Sequence, residues 1–129
     1  MKIKILIPIY NDWRSVFELL KIIDNLISDL SDEISILIVN DGSNEEKEDI
    51  PELKHIKSIK ILNMKQNKGH SRCIAMGLKY LDENDQFDYV IPMDGDGEDR
   101  PEEIKNFLEK IKNYPNRTIV GERVKRSES

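Results

Sequence analysis

Asp94 and Asp96 stand two residues apart in the run MDGDGED at 93–99. On an extended backbone alternate side chains share a face, so both carboxylates would point the same way. Gly95 and Gly97 permit close approach and unusual backbone angles. An EF-hand counted from Asp94 needs glycine at its sixth position and glutamate at its twelfth. The sequence has Asp99 and Lys105 there. A dinucleotide fingerprint fits Gly95 and Gly97 but meets Arg100 at its third glycine. Like charges about 4 Å apart repel by about 4 kcal/mol at an effective dielectric of about 20, so this loop repels bare phosphate. A hard divalent cation between carboxylates and a diphosphate reverses the sign. A metal-assisted diphosphate site is therefore one reading. The bland alternative is an acidic turn whose Asp96 or Asp99 faces the dipole of a helix starting at Pro101.

The other loops with unusual composition are Tyr10 to Asp12, Asn40 to Asn44 and Asn63 to Gly69. Asp41 begins an Asp-Gly-Ser turn. Gly69 opens a helix whose N-terminus suits anions. Tyr10 sits at a strand end, where it either packs or meets a ligand. Trp13 reads as a packing residue at a helix start, with sugar stacking as the alternative. His70 and Arg72 read as solvated helix residues. Cys73 reads as a small core residue, since no neighbouring pattern lowers its pKa.

These loops need elements to hold them. Lys2 to Ile9 is β-branched and apolar, a buried strand ended by Asn11 and Asp12. Val16, Leu19, Leu20, Ile23, Leu26, Ile27 and Leu30 form one helical stripe, with Asp12 as N-cap. Ile34 to Val39 is a second strand. Glu45 to Leu53 reads as a short helix or turn stopped near Pro51. Ile59 to Leu62 is a third strand. A helix from Gly69 places Ile74, Leu78 and Leu81 on one face. Tyr89 to Met93 is a fourth strand. Pro101 suits the first turn of a helix with Ile104, Phe107, Leu108 and Ile111 on its stripe. Thr118 to Val120 is a fifth strand, and Glu122 to Ser129 a polar tail. Strands alternating with helices predict an α/β fold, a mainly parallel sheet flanked by helices. All four unusual loops follow strands, where such sheets bind ligands.

The 129 residues make one domain, 1–121, with the tail 122–129. With 20 basic and 25 acidic residues the net charge is −5, which argues against nucleic acid as a partner. The single cysteine excludes an internal disulfide, and His55 and His70 lack metal-ligand spacing. No apolar run reaches membrane-helix length and no signal-peptide core follows Met1, so the expected location is cytoplasmic.

PIYND at 8–12, IVNDGS at 38–43, NKGHSRCIAMGL at 67–78 and MDGDGEDRPEEI at 93–104 resemble, in this order, the family 2 glycosyltransferases of the GT-A fold. The nearest resemblance is to their polyisoprenyl-phosphate branch, relatives of dolichol-phosphate mannose synthase. VGERVKRSES at 120–129 resembles that branch's arginine-bearing segment. The resemblance implies a nucleotide-sugar donor of UDP, GDP or dTDP type, a divalent Mg²⁺ or Mn²⁺, and a lipid-phosphate acceptor. It puts Pro8, Tyr10 and Asp12 near the donor base and has Asp41 accept a hydrogen bond from that base. It directs Asp94 at the ribose, puts Gly95 and Gly69 along the donor, and gives Asp96 the metal and the main catalytic role. Glu98 stands where relatives carry a metal-side group, and Arg123 and Arg126 face a phosphate. Asn40 replaces the first Asp of the family's DDGS, and Ala75 stands where many relatives have asparagine.

Family catalytic domains continue well past this length, so the chain is expected to be the donor-binding N-terminal portion. It should bind donor without efficient transfer, lie at the cytoplasmic membrane face in full-length context, and self-associate through surface that missing segments would cover. The rival from another class is a phospho-receiver domain. It needs an acidic pair after the first strand, an acceptor Asp after the third and a Lys after the fifth. The chain offers Asn11-Asp12, Asn63 and Gly121-Glu122. A third possibility is a nucleotide-binding fragment without activity.

Overall fold

The computed structural model describes residues 1–45, 47, 49–95 and 102–113, the last three by backbone alone. Within them the order is β1 (Lys2–Ile9), α1 (Trp13–Leu26), β2 (Glu33–Asn40), β3 (Ile59–Asn63), α2 (His70–Asn84), β4 (Tyr89–Pro92) and α3 (Glu103–Asn113). The expected fifth strand at Thr118 to Val120, the tail and Pro101 lie outside the described residues.

All pairings are parallel, in the order β3-β2-β1-β4. β1 sits in the middle, with Ile7 opposite Ile38 and Ile5 opposite Ile91. Its alternation sorts the core into two layers. Ile3, Ile5, Ile7 and Ile9 face α1 and α3, joining Val16, Leu20, Ile23, Ile104 and Phe107. Leu6 faces the other way, with Leu37, Val39 and Val90, and packs with Cys73 and Leu81 of α2. Connections running in opposite directions along a sheet must pass over opposite faces to keep one hand. That is why α1 and α2 lie on different sides.

α2 departs from expectation. Its buried residues are Cys73, Gly77 and Leu81, spaced by four, while Leu78 is exposed. Gly77 sets this register. A Cβ there would stand 2.4 Å from a Leu6 methyl, so the helix backbone presses directly onto the sheet. A reading that weights only large apolar residues rotates the helix toward Leu78 and misses the glycine contact.

The segment 45–53 also departs from expectation: its described residues form no helix. It holds Glu45, Glu46, Glu48, Asp49 and Glu52 with only Ile50 and Leu53 as large apolar residues, too little stripe to dock a helix. The chain beyond it is fixed by Asp24 instead. That carboxylate, buried on α1, accepts backbone N–H bonds from Lys54 (2.9 Å), His55 (2.7 Å) and Ile56 (2.8 Å). Burial alone would raise its pKa. The three N–H donors outweigh that and hold it below the ordinary carboxylate value.

Candidate functional site

The strand order turns back at β1: the chain leaves it toward β2 and later returns to place β4 on its other side. Loops after β1 and β4 are therefore neighbours at the carboxyl rim, where sheets of this kind bind ligands. A cleft of about 190 Å³ lies there, lined by Pro8, Ile9, Tyr10, Asp12, His70, Asp94 and Gly95. Five of these, Pro8, Tyr10, Asp12, Asp94 and Gly95, were singled out in the sequence, and the fold brings them together. A larger hollow of about 560 Å³ lies at the opposite end of the sheet, lined by Met1, Lys2, Ser31, Glu33, Gln86, Phe87 and Asp88. It has no topological switch point above it and gathers none of the motif residues.

Each loop at the rim is held from below. Asn11 takes a left-handed backbone, φ 52°, which asparagine tolerates better than most residues. Its backbone N–H donates to Ser43 Oγ at 2.8 Å and its side-chain amide to Asn44 Oδ1 at 2.7 Å. Its Oδ1 accepts from the N–H groups of Asn44 and Glu45. Asn40 donates to Asn63 Oδ1 at 3.0 Å and accepts from Ser43 N–H at 3.1 Å. The amide at position 40 thus supplies a donor, which a carboxylate could not.

Asp41 ties β2 to the approach to α2. Its Oδ1 accepts from Lys68 N–H at 2.6 Å and its Oδ2 from Gly69 N–H at 2.9 Å. Burial pushes its pKa up, but hydrogen bonds from Lys68, the Cys73 thiol and Gly69 outweigh this and leave it below the ordinary value. The same burial, with the Asp41 carboxylate beside it, pushes Cys73 up to about 12, so the thiol stays protonated and serves as core. Gly42, at φ +72°, packs flat on Gln66 and Asn67, where a Cβ would stand 2.7 Å from Asn67 N. Gly69, at φ +95°, has open space around it and is required for its backbone angle alone.

Two side chains at the cleft depart from expectation. Asp12 occupies the N-cap position of α1, yet its carboxylate makes no capping hydrogen bond. It lines the cleft instead. His70, read in the sequence as solvated, is the first residue of α2, and its Nε2 lies 3.2 Å from Asp94 Oδ1. The signal that could have found it is its place directly after the helix-opening glycine. Tyr10 is about half exposed, 48%, at the cleft lip and presents its ring to solvent. Trp13 is buried against Phe17, ring centroids 5.8 Å apart, which removes the sugar-stacking alternative. Gly95 packs over Ile7 and Ile9, where a Cβ would stand 3.1 Å from an Ile9 methyl.

Asp96, Glu98, Arg123 and Arg126 lie outside the described residues. Among the described residues no three metal-ligating side chains cluster. The described lining does supply the hard oxygen donors Asp12 and Asp94, the donor chemistry that suits Mg²⁺ or Mn²⁺. No helix among the described residues is long and apolar enough to cross a membrane.

A parallel sheet flanked by helices, with a polar cleft at its carboxyl rim, defines the class: an α/β domain of the Rossmann-like type. The family model for glycosyl transferase family 2 matches residues 4–129, and the chain belongs to that family. It is similar to a dolichol-phosphate mannosyltransferase of Pyrococcus furiosus, 30% identical over 125 residues, 97% of this chain and 34% of that protein. It is also similar to an undecaprenyl-phosphate 4-deoxy-4-formamido-L-arabinose transferase of Klebsiella pneumoniae, 30% identical over 115 residues, 84% of this chain and 33% of that protein. These relatives fall in the polyisoprenyl-phosphate branch that the motifs resemble. The chain spans about a third of the length of both curated relatives.

Proposed function

We propose that this chain is the donor-binding part of a glycosyltransferase that moves a sugar from a nucleoside diphosphate to a polyisoprenyl phosphate. The observation that carries the reading is the convergence of Pro8, Tyr10, Asp12, Asp94 and Gly95 on one cleft at the switch point, in a family 2 chain. The names of the two relatives support the lipid-phosphate acceptor.

In this reading Tyr10 offers its exposed ring to the base, Pro8 shapes the cleft wall, and Asp94 faces the ribose. Asp41 acts from beneath, holding Lys68 and Gly69, because its oxygens already accept backbone N–H groups. Gly69 and the start of α2 then lie beside the donor phosphates. In the reaction the bond from the anomeric carbon to the diphosphate oxygen breaks. The bond from that carbon to the acceptor phosphate oxygen forms, and the nucleoside diphosphate leaves with the electron pair. A phosphate oxygen is already ionised, so no strong general base is needed. Mg²⁺ or Mn²⁺, held by Asp96 with Glu98, would supply Lewis-acid stabilisation of the leaving diphosphate. Arg123 and Arg126 would meet acceptor or donor phosphate.

The 129 residues hold the donor groups in this reading, and transfer depends on acceptor positioning, which is worth about 7–11 kcal/mol in well-oriented reactions. Donor binding without efficient turnover is therefore expected from this chain alone. A thermal-shift panel of UDP, GDP, dTDP and CDP with and without Mn²⁺ tests the reading. Stabilisation by one base with Mn²⁺ supports it; none with any nucleotide contradicts it. A radiolabelled-donor assay with polyprenyl phosphate tests the turnover claim, and robust transfer by these residues would contradict it.

A further inference from the structure

We propose that Asn11 is a positioning residue of the donor site: it grips the loop after β2 and so fixes the cleft residues on either side of it, Tyr10 and Asp12. The inference rests on the reading of the cleft as a donor site.

Residues 8–12 form one wall of the cleft with a single exception. Pro8, Ile9, Tyr10 and Asp12 line it and Asn11 does not. Asn11 is also the one non-glycine among the described residues with a positive φ, 52°. Such a backbone costs free energy in a residue with a Cβ and persists where its surroundings over-determine it. Here four hydrogen bonds do so. The Asn11 backbone N–H donates to Ser43 Oγ at 2.8 Å, and Nδ2 donates to Asn44 Oδ1 at 2.7 Å. Oδ1 accepts from Asn44 N–H at 2.8 Å and from Glu45 N–H at 3.0 Å. All four reach one loop, 32 to 34 residues further along the chain.

The residue type follows from this double duty. A left-handed position takes glycine or asparagine most easily. Glycine has no side chain to reach across, and an aspartate would offer acceptors without the donor to Asn44 Oδ1. Asparagine supplies both. The loop it grips is itself anchored. Ser43 N–H donates to Asn40 Oδ1 at 3.1 Å, and Asn40 Nδ2 donates to Asn63 Oδ1 at 3.0 Å. Asp41 N–H donates to the Ile9 carbonyl at 2.8 Å. A polar relay thus runs from the end of β3, through the end of β2, to the loop after β1.

Three of the four bonds at Asn11 lie at the surface, so they add little to the core. What they fix is direction. Tyr10 is about half exposed and is held weakly by packing, and the Asp12 carboxylate makes no capping bond. With Asn11 clasped, both side chains leave a backbone of set geometry. A ligand that meets groups already in place loses less freedom on binding.

The test uses two variants of the 129-residue chain. Asn11→Gly keeps the left-handed turn and removes the side-chain clasp. Asn44→Ala leaves the β1 loop unaltered and removes the acceptor of Asn11 Nδ2, and Asn44 does not line the cleft. Calorimetry with UDP and with GDP in the presence of Mn²⁺, below the thermal midpoint, reads affinity. The better-bound nucleotide should weaken about tenfold in Asn11→Gly and about threefold in Asn44→Ala. The double variant should be no worse than Asn11→Gly alone, because Asn44 acts through Asn11. ¹⁵N relaxation gives a readout that needs no nucleotide. The amides of Tyr10 and Asp12 should be as ordered as the strands in the wild type and looser on the ps–ns timescale in both variants, with Ile5 and Ile38 unchanged. A structural role alone would lower the thermal midpoint and leave affinity and loop order at their wild-type values. Wild-type affinity in Asn11→Gly, multiplying losses in the double variant, or unaltered order at Tyr10 and Asp12 overturns the positioning role alone. If the variants loosen these amides but the wild-type chain binds neither nucleotide, the donor-site reading fails and the positioning role fails with it.

Discussion

The two ends of the sheet use similar groups for opposite purposes. At the amino end, charges are consumed by permanent contacts. Asp24 accepts three backbone N–H groups from residues 54–56. Asp85 takes Lys60 at 2.9 Å and Lys4 at 3.4 Å, and Lys2 N–H donates to Asp88. At the carboxyl rim, Asp41 is just as buried and just as occupied, and it holds up the loop that leads to the cleft. Asp12 caps nothing, Tyr10 faces solvent, and His70 and Asp94 meet in the open cleft. A buried carboxylate with a lowered pKa is thus no mark of a site, because Asp24 and Asp41 share that property. What separates them is topology: of the two, only Asp41 lies at the carboxyl end of the strands, where it holds the approach to α2 and His70.

The sharpest way to break the contrast is through the support of the rim. Gly42→Ala forces a Cβ onto the Gln66–Asn67 backbone at a left-handed position. The left-handed conformation costs about 1–2 kcal/mol and the overlap about 1–3 kcal/mol more. Chemical denaturation should show a loss of about 3 kcal/mol, with nucleotide affinity falling as well. Asp24→Ala strips three N–H groups, that of Ile56 buried, of their acceptor and should cost about 2–3 kcal/mol, yet leave nucleotide affinity unchanged in the surviving folded chain. A loss of affinity there would mean that the two ends are coupled.

Asp41→Ala should cost about 2 kcal/mol and also weaken nucleotide binding, because Lys68, Gly69 and His70 lose their anchor. Inorganic pyrophosphate should weaken along with the nucleoside diphosphate. A loss confined to the nucleoside would instead return Asp41 to the direct base contact that the family resemblance implies.

Both carboxylates give stability a pH dependence of known sign. Their folded pKa values lie below the unfolded ones, so their contribution is full above the ordinary carboxylate range. It is lost as pH falls through the depressed folded values. Unfolding free energy should decline on acidification in this low range, and Asp24→Asn should flatten the decline. The smallest effect on stability belongs to Asp12→Ala. With no capping hydrogen bond to lose, the change should be under about 0.5 kcal/mol by denaturation. Nucleotide affinity should nevertheless drop.

The sheet was legible in the sequence because its strands are short, apolar and bounded by turn residues. Lys2 to Ile9 appears with those same bounds, and the other strands differ by a residue or so. What was not legible came from contacts distant in sequence. The α2 face is set by the Gly77 approach to Leu6, which no helical periodicity of large residues encodes. The segment after Glu45 is organised by Asp24, a single charge in an otherwise apolar stripe. The cleft residues after β1 and β4 were visible as motifs. Asn11 as the clasp between two loops, and His70 as the partner of Asp94, were not, since each role needs the two loops to be adjacent.

The central claim is that donor chemistry belongs to the carboxyl-rim cleft and not to the larger hollow at the amino end. Backbone amide shifts of the ¹⁵N-labelled chain, followed as UDP or GDP is added with Mg²⁺, test it most directly. The account predicts perturbations at Tyr10, Asn11, Asp12, Lys68, Gly69, His70, Asp94 and Gly95, and unchanged positions for Lys2, Ser31, Glu33 and Gln86 to Asp88. Shifts concentrated on that second group, with the rim silent, would contradict it.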